Sequence, residues 1–165
     1  MAHGLRPVGL DFTETAPLRL VCAAHAVAAP GEVYRALADD VEAWPRWFRA
    51  VTWARPVERE GRAGREVRLW GGCRFTETVR AAEPMTRYAC RADETNAPGL
   101  RALLEDWLLI PAGSGTIVRW TVAVDASAPV RRLVLGPARP GVGHAFRGAV
   151  RSLDRRLADA RGQAG

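Results

Sequence analysis

Between residues 51 and 125 the chain is cut into short pieces by turn signals, and that spacing constrains its fold more than any other feature. Six segments (51–59, 65–70, 74–82, 87–92, 100–110 and 116–125) alternate apolar and polar residues. Glu60-Gly61, Gly71-Gly72, Glu83-Pro84, residues 96–99 and residues 111–115 separate them. Connections this short leave no room for crossover helices, so the segments are predicted to form antiparallel hairpins.

Before this block, residues 18–28 are apolar and bounded by proline, and read as a first strand. Residues 31–38 read as a short helix. Pro30 suits its first turn, Glu32 favours its positive end, and Val33 and Leu37 share a face. Asp39-Asp40 breaks it. Residues 41–48 read as a second short helix, with Pro45 confined to the first turn or a bend. After the hairpins, residues 130–143 are interrupted by Pro and Gly. Then Val142, Phe146, Ala149, Val150, Leu153 and Leu157 form one apolar stripe at the helical period, with His144, Arg147, Arg151 and Arg155 opposite.

The predicted order is one strand, two short helices, six strands and a long C-terminal helix. This is an α+β arrangement: a curved seven-stranded antiparallel sheet with one helix laid across it, and a cavity between the two. Residues 1–17 show no periodicity and read as a loose arm, residues 18–160 as one domain, and residues 161–165 as a tail. At 165 residues, such a domain buries enough surface to stand without staples.

All 24 basic residues are arginine, and the net charge is +6. The excess is local: residues 130–165 carry eight arginines against two acids, while the rest of the chain balances. That basic face could meet an acidic partner, a membrane surface or nucleic acid, or simply be solvated. No aromatics are interleaved with these arginines, which argues against nucleic acid. Cys22, Cys73 and Cys90 fit neither a metal spacing nor a disulfide framework, and read as free thiols in a reducing cytoplasm. His3 and His25 have no companions at ligand spacing, so neither metal nor cofactor is expected. No run is long enough for a transmembrane segment. Residues 20–30 faintly match a signal-peptide core, but Asp11 and Glu14 upstream argue against that reading.

The densest aromatic stretch is "VEAWPRWFRAV", residues 41–51. Trp44 and Phe48 are i, i+4 partners, with Trp47 beside them. Plain packing and ligand contact are both open for these rings. Trp107 and Trp120 flank the last hairpin loop and are cross-strand partners if the loop is 112–115; a one-residue slip would put Asp106 opposite Trp120. The apolar face of Val118, Trp120, Val122 and Val124 favours the tryptophan pairing, and again core packing and ligand contact are both open.

Four pieces, in this order, resemble the START-like, helix-grip (SRPBCC) superfamily: "HAVAAPGEVYRALAD", "DVEAWPRWF", "VRAAEP" and "WLLIPAGSGTIVRW". The spacing is most similar to its single-domain polyketide aromatase/cyclases, over about residues 18 to 157. The resemblance implies a hydrophobic, aromatic or polyketide-like ligand in an internal cavity and aldol cyclisation with dehydration. It implies that Trp44 and Phe48 line the pocket mouth, with Val51, Trp107, Trp120 and Phe146 also facing ligand. Arg80 would fall on an active-site arginine and Thr78 on a position carrying a small hydroxyl. By strand alternation those two share a face. An arginine there could stabilise developing enolate charge, but it is a poor general base. One departure stands out: Val51 occupies the position where those cyclases carry a proton-transferring tyrosine. The resemblance equally implies a non-catalytic carrier of a lipid or a coenzyme Q-like quinone. The basic helix implies an acyl carrier protein or other acidic partner.

Overall fold

The turns fall where the sequence puts them. A computed structural model describes residues 1–163 of the chain. At the first hairpin Glu60 and Gly61 both adopt positive φ (53° and 71°), the two-residue turn that matches strand twist. The next turn uses Gly71 and Gly72 at 83° and 86°, a conformation that side-chain-bearing residues rarely adopt.

The long strands are β2 (Leu18–Ala26), β3 (Val51–Arg59), β4 (Arg62–Leu69), β5 (Arg74–Glu83), β6 (Arg87–Thr95), β7 (Leu100–Ala112) and β8 (Gly115–Ala126). They are antiparallel neighbours in the order β2-β8-β7-β6-β5-β4-β3. The C-terminal helix α5 (Ala138–Gln163) crosses one face of the sheet and buries Phe146, Ala149, Val150 and Leu153 against it. These four belong to the predicted stripe. A curved antiparallel sheet gripping a long helix is therefore the fold that the sequence implies.

The helices between β2 and β3 also form where expected. Helix α2 (Pro30–Ala38) starts on Pro30, and the Glu32 carboxylate accepts the Ala29 N–H at 2.9 Å. The predicted second helix is a 3-10 turn, Val41–Ala43, followed by α3 (Trp44–Trp47). Pro45 lies in its first turn, and Phe48 is already extended.

Three expectations are corrected. Residues 1–17 are not loose. Strand β1 (His3–Gly4) pairs with β6, and helix α1 (Phe12–Thr15) follows it. The ends of β6 and β7 diverge here, and the arm fills the gap: Leu5 N–H bonds the Asp93 carbonyl and Arg6 N–H the Arg101 carbonyl. Val8 and Phe12 bury against Ala102, Leu104 and Ala123 on the sheet face turned away from α5. Second, the Pro/Gly-rich stretch 130–143 is mostly helical. Helix α4 (Ala128–Leu135) and the start of α5 take it up, because Pro129 and Pro140 both fall in first turns, where no N–H is needed. Third, the predicted tail is helical through Gln163; positions 164–165 lie outside the described residues.

Helix α5 is pinned at one end. The Asp154 carboxylate accepts the Val27 and Ala28 N–H groups at 2.9 and 3.0 Å, just beyond the end of β2. Its first turns, from Ala138 to Ala145, contribute no fully buried side chain, and neither does α4.

Candidate functional site

Registered strands place side chains in rows on the inner face, toward α5. One row runs Cys22, Trp120, Trp107, Tyr88 across β2, β8, β7 and β6. Trp107 and Trp120 are direct partners, and their rings stack at 5.2 Å and 23°. The last hairpin therefore has the tryptophan-paired register. Asp106 instead lies opposite Thr121 and ties Arg87 with two 2.9 Å hydrogen bonds.

Against this row pack Trp44, Trp47 and Phe48 from one side and Phe146 from α5. Ring centroids within the cluster lie 5.1–6.5 Å apart. Six of the expected ligand-facing positions are thus together: Trp44, Phe48, Trp107, Trp120 and Phe146 in one cluster, and Val51 buried in the same core. The position of Trp44 and Phe48 differs from expectation. Both are buried in the layer, not at a mouth, and interlocking rings occupy the space that the sequence reading gave to a cavity.

The cluster has an unusual polar property. The Trp44 indole N–H donates to the Leu37 carbonyl at 3.2 Å. Those of Trp47, Trp107 and Trp120 are buried with no acceptor. A buried donor without a partner costs about 1–3 kcal/mol, so three such donors in one apolar layer favour an acceptor-bearing occupant.

A cavity of about 250 Å³ lies between the Leu20–Ala23 stretch of β2 and the early turns of α5, walled by Val142, Arg139 and Arg147. Cys22 is partly buried and is the cross-strand neighbour of Trp120, which at 9% is the most exposed ring of the cluster. Burial raises the Cys22 thiol pKa; Arg147 and Arg139 oppose that shift. A larger open groove, about 1040 Å³, runs between α2 and the end of α5. There Arg156 pairs with Asp40 at 3.3 Å and Arg161 with Glu32 at 3.6 Å.

The two residues matched to catalysis are separated by a backbone irregularity. Val79 pairs with Cys90 but Ala81 with Ala89, so Arg80 is the extra residue of a β-bulge. Alternation does not carry across that slip, and the shared face expected for Thr78 and Arg80 is lost. Thr78 pairs with Arg91 and donates its hydroxyl to Asp93, which Arg91 also holds at 2.7 Å. Arg80 is partly buried, with its Nε buried and unpartnered. Among the described residues it makes no ion pair.

Sequence reasoning missed a buried charged group beside the rings. Arg65 on β4 is 1% exposed and bonds Glu77 on β5 and, at 2.8 Å, Glu105 on β7. Its guanidinium carbon stands 4.2 Å from the Trp44 ring centroid and 5.7 Å from that of Tyr88. Burial pushes Glu77 up to about 7, helped by Glu105 and opposed by Arg65. One arginine faces two carboxylates, and burial weighs most on Glu77, the deeper of the two. Burial likewise pushes the Cys90 thiol up to about 12 and raises Tyr88. Position 65 begins an alternating segment in the sequence, but nothing local distinguishes its arginine from a solvated one.

Among the described residues, no helix is long and apolar enough to cross a membrane, and no three His, Cys, Asp or Glu side chains gather as a metal cluster.

Known proteins match this architecture. A family model described as "polyketide cyclase / dehydrase and lipid transport" covers residues 19–158. An uncharacterised protein of Mycobacterium tuberculosis is 35% identical over 157 residues, 93% of this chain and 92% of that protein. The granaticin polyketide synthase bifunctional cyclase/dehydratase of Streptomyces violaceoruber is 34% identical over 116 residues, 65% of this chain but 36% of that longer protein. Among solved structures, the Zhui aromatase/cyclase from Streptomyces sp. R1128 superposes with a TM-score of 0.69 at 15% identity, covering 85% of this chain and 95% of that one. A START superfamily protein from Mycobacterium smegmatis gives 0.67 at 14% identity, covering 86% and 98%. With the helix gripped by the sheet and the family pattern spanning nearly all of both, the chain belongs to the polyketide cyclase/dehydrase and lipid transport family.

Proposed function

We propose that the protein binds and carries a planar hydrophobic molecule bearing carbonyl or hydroxyl oxygens, of the quinone or aromatic polyketide kind. The molecule enters beside Cys22 and lodges among the rings under α5. The observation that carries this reading is the set of three unpartnered indole N–H donors, Trp47, Trp107 and Trp120, inside one aromatic layer. The rings offer stacking surface and the donors select oxygen acceptors. The weakly packed first turns of α5 supply the movement that admits a ligand larger than the resting cavity. Family membership supports a hydrophobic ligand.

Titration with a naphthoquinone and with a polyhydroxylated naphthalene, followed by tryptophan fluorescence, tests this. Saturable quenching is expected with both. It should weaken about tenfold in Trp120→Phe, which keeps most of the ring and loses one donor. Unsaturable quenching in the parent, or equal affinity in the variant, overturns the proposed contact.

A second reading is aldol cyclisation of a polyketide, and Arg80 favours it: a buried guanidinium nitrogen without a partner could orient an enolate oxygen. Two placements favour carriage instead. Thr78 is engaged with Asp93, and Val51 has no proton to transfer. Arg80→Ala separates the readings: a cyclase loses turnover of a poly-β-ketone analogue, whereas a carrier keeps its ligand affinity.

A further inference from the structure

The entrance end of the sheet carries a surface that the binding site does not use. Strand directions bring the β4–β5 turn, the start of β2, α4 and the first turns of α5 to this one end. The turn presents Trp70 at 81% exposure, the most exposed tryptophan of the chain. Helix α4 presents Leu133 and Leu135, and β2 presents Val21, all more than half exposed. Val27, Met85, Ile110 and Ile117 are exposed toward the opposite end; what sets this end apart is that its exposed apolar side chains stand among arginines, a pairing that marks an interaction surface.

Arginine dominates the charge at this end: Glu66 and Glu94, which line a hollow with Arg68 and Arg74, are held by Arg55 and Arg59. Between Asp125 and Asp154 the sequence has five arginines and no acid, and between Glu66 and Glu77 it has Arg68 and Arg74 and no acid. Among the described residues none of these seven arginines is in an ion pair. Arg68 stacks instead on Trp53, 4.5 Å from its ring centroid. The acid nearest along the chain, Asp125, is held by Arg6 at 3.2 Å.

We propose that this end docks on an anionic lipid surface, with Trp70, Leu133 and Leu135 entering the headgroup layer and Arg74, Arg131, Arg132 and Arg139 meeting lipid phosphates. An acidic protein would need the arginines alone. The apolar tips among them fit a bilayer interface, where a tryptophan is at home beside basic residues. The cavity beside Cys22 opens at this same end, walled by Arg139 and Arg147, so docking would face it toward lipid. The docking surface stands on exposure and charge, whatever the aromatic layer holds.

Co-sedimentation with vesicles tests it, using phosphatidylcholine alone and phosphatidylcholine with about one-third phosphatidylglycerol. Binding is expected only to the anionic vesicles and should weaken with added salt. Trp70→Ser, and separately Arg131→Glu with Arg132→Glu, should each reduce it roughly tenfold, with circular dichroism and naphthoquinone titration unchanged. Absence of binding to anionic vesicles overturns the proposal, as does equal binding by the variants. Capture on immobilised polyglutamate without vesicle binding overturns it in favour of an acidic protein. The naphthoquinone titration is read without vesicles, so failure of docking and failure of ligand binding are distinguishable.

Discussion

Arg65 and Glu77 form an ion pair across β4 and β5 with 1% and 3% of their side chains exposed, against the face of Trp44. Burial outweighs Arg65 and pushes Glu77 up to about 7 in the folded protein, whereas an unfolded glutamate keeps its ordinary value of 4.5. Between those values the folded state holds a proton that the unfolded state has released. Stability therefore falls as pH rises through that window and levels off above it. Glu77→Gln removes this slope. Relative to the parent, the variant should gain about 2 kcal/mol on going from about pH 5 to pH 8, read from urea midpoints. A constant difference across that range would exclude the protonated carboxyl.

Trp107 contacts rings from α3, β8 and α5 at once. Trp107→Ala should cost about 3–5 kcal/mol in urea unfolding, the usual loss for an emptied aromatic site. Trp107→Phe should recover more than half of that. If the alanine variant lost under about 1 kcal/mol, the layer would not be close-packed.

The bulge predicts opposite behaviour for Thr78 and Arg80. Thr78→Val should cost about 1 kcal/mol by leaving Asp93 one donor short, with naphthoquinone affinity unchanged. Arg80→Ala should leave the unfolding midpoint nearly unchanged, since no ion pair is lost. Any ligand or turnover effect should appear there alone. A loss of affinity in Thr78→Val would place the hydroxyl at the ligand after all.

On the far face, Phe12 fixes the N-terminal arm over Ala102, Leu104 and Ala123. Phe12→Ala should destabilise by about 2–4 kcal/mol and raise amide exchange at Leu5 and Arg6, whose N–H groups bond into the β6–β7 gap. Unchanged exchange there would mean that the arm is held by its backbone alone.

Asp154→Ala leaves the Val27 and Ala28 N–H groups without their acceptor. A loss of about 1–3 kcal/mol is expected, with faster exchange at those two amides. Asp154→Asn, which keeps one acceptor oxygen but turns its amide NH2 toward the other N–H, should recover only part of the loss.

Much of this fold is legible because punctuation is local. Glu60-Gly61 and Gly71-Gly72 announce their hairpins, Pro30 and Pro45 suit a helix's first turn, and the Trp107–Trp120 register depends on one loop length. What the sequence hides depends on partners far along the chain. Arg65 reads like any arginine on an alternating strand until Glu77 and Glu105 arrive from two other strands. The bulge at Arg80 is a slip of pairing that the residue types of β5 do not mark. The arm lacks periodicity because it fills a gap rather than presenting a regular face. Trp44 and Phe48 look the same whether they line a cavity or fill it; only the distances to Trp107 and Trp120 decide.

The arm also orders events during folding. His3 bonds the Leu100 carbonyl across 97 residues, and Leu5 and Arg6 bond β6 and β7. As synthesis proceeds from the N-terminus, these first residues have nothing to close on until both strands have emerged and splayed apart. Because its contacts need the splayed ends of β6 and β7 in place first, the arm is expected to dock on a sheet that is already paired. If it is the last stitch rather than the nucleus, changes within it should speed unfolding while leaving the rate of folding almost untouched.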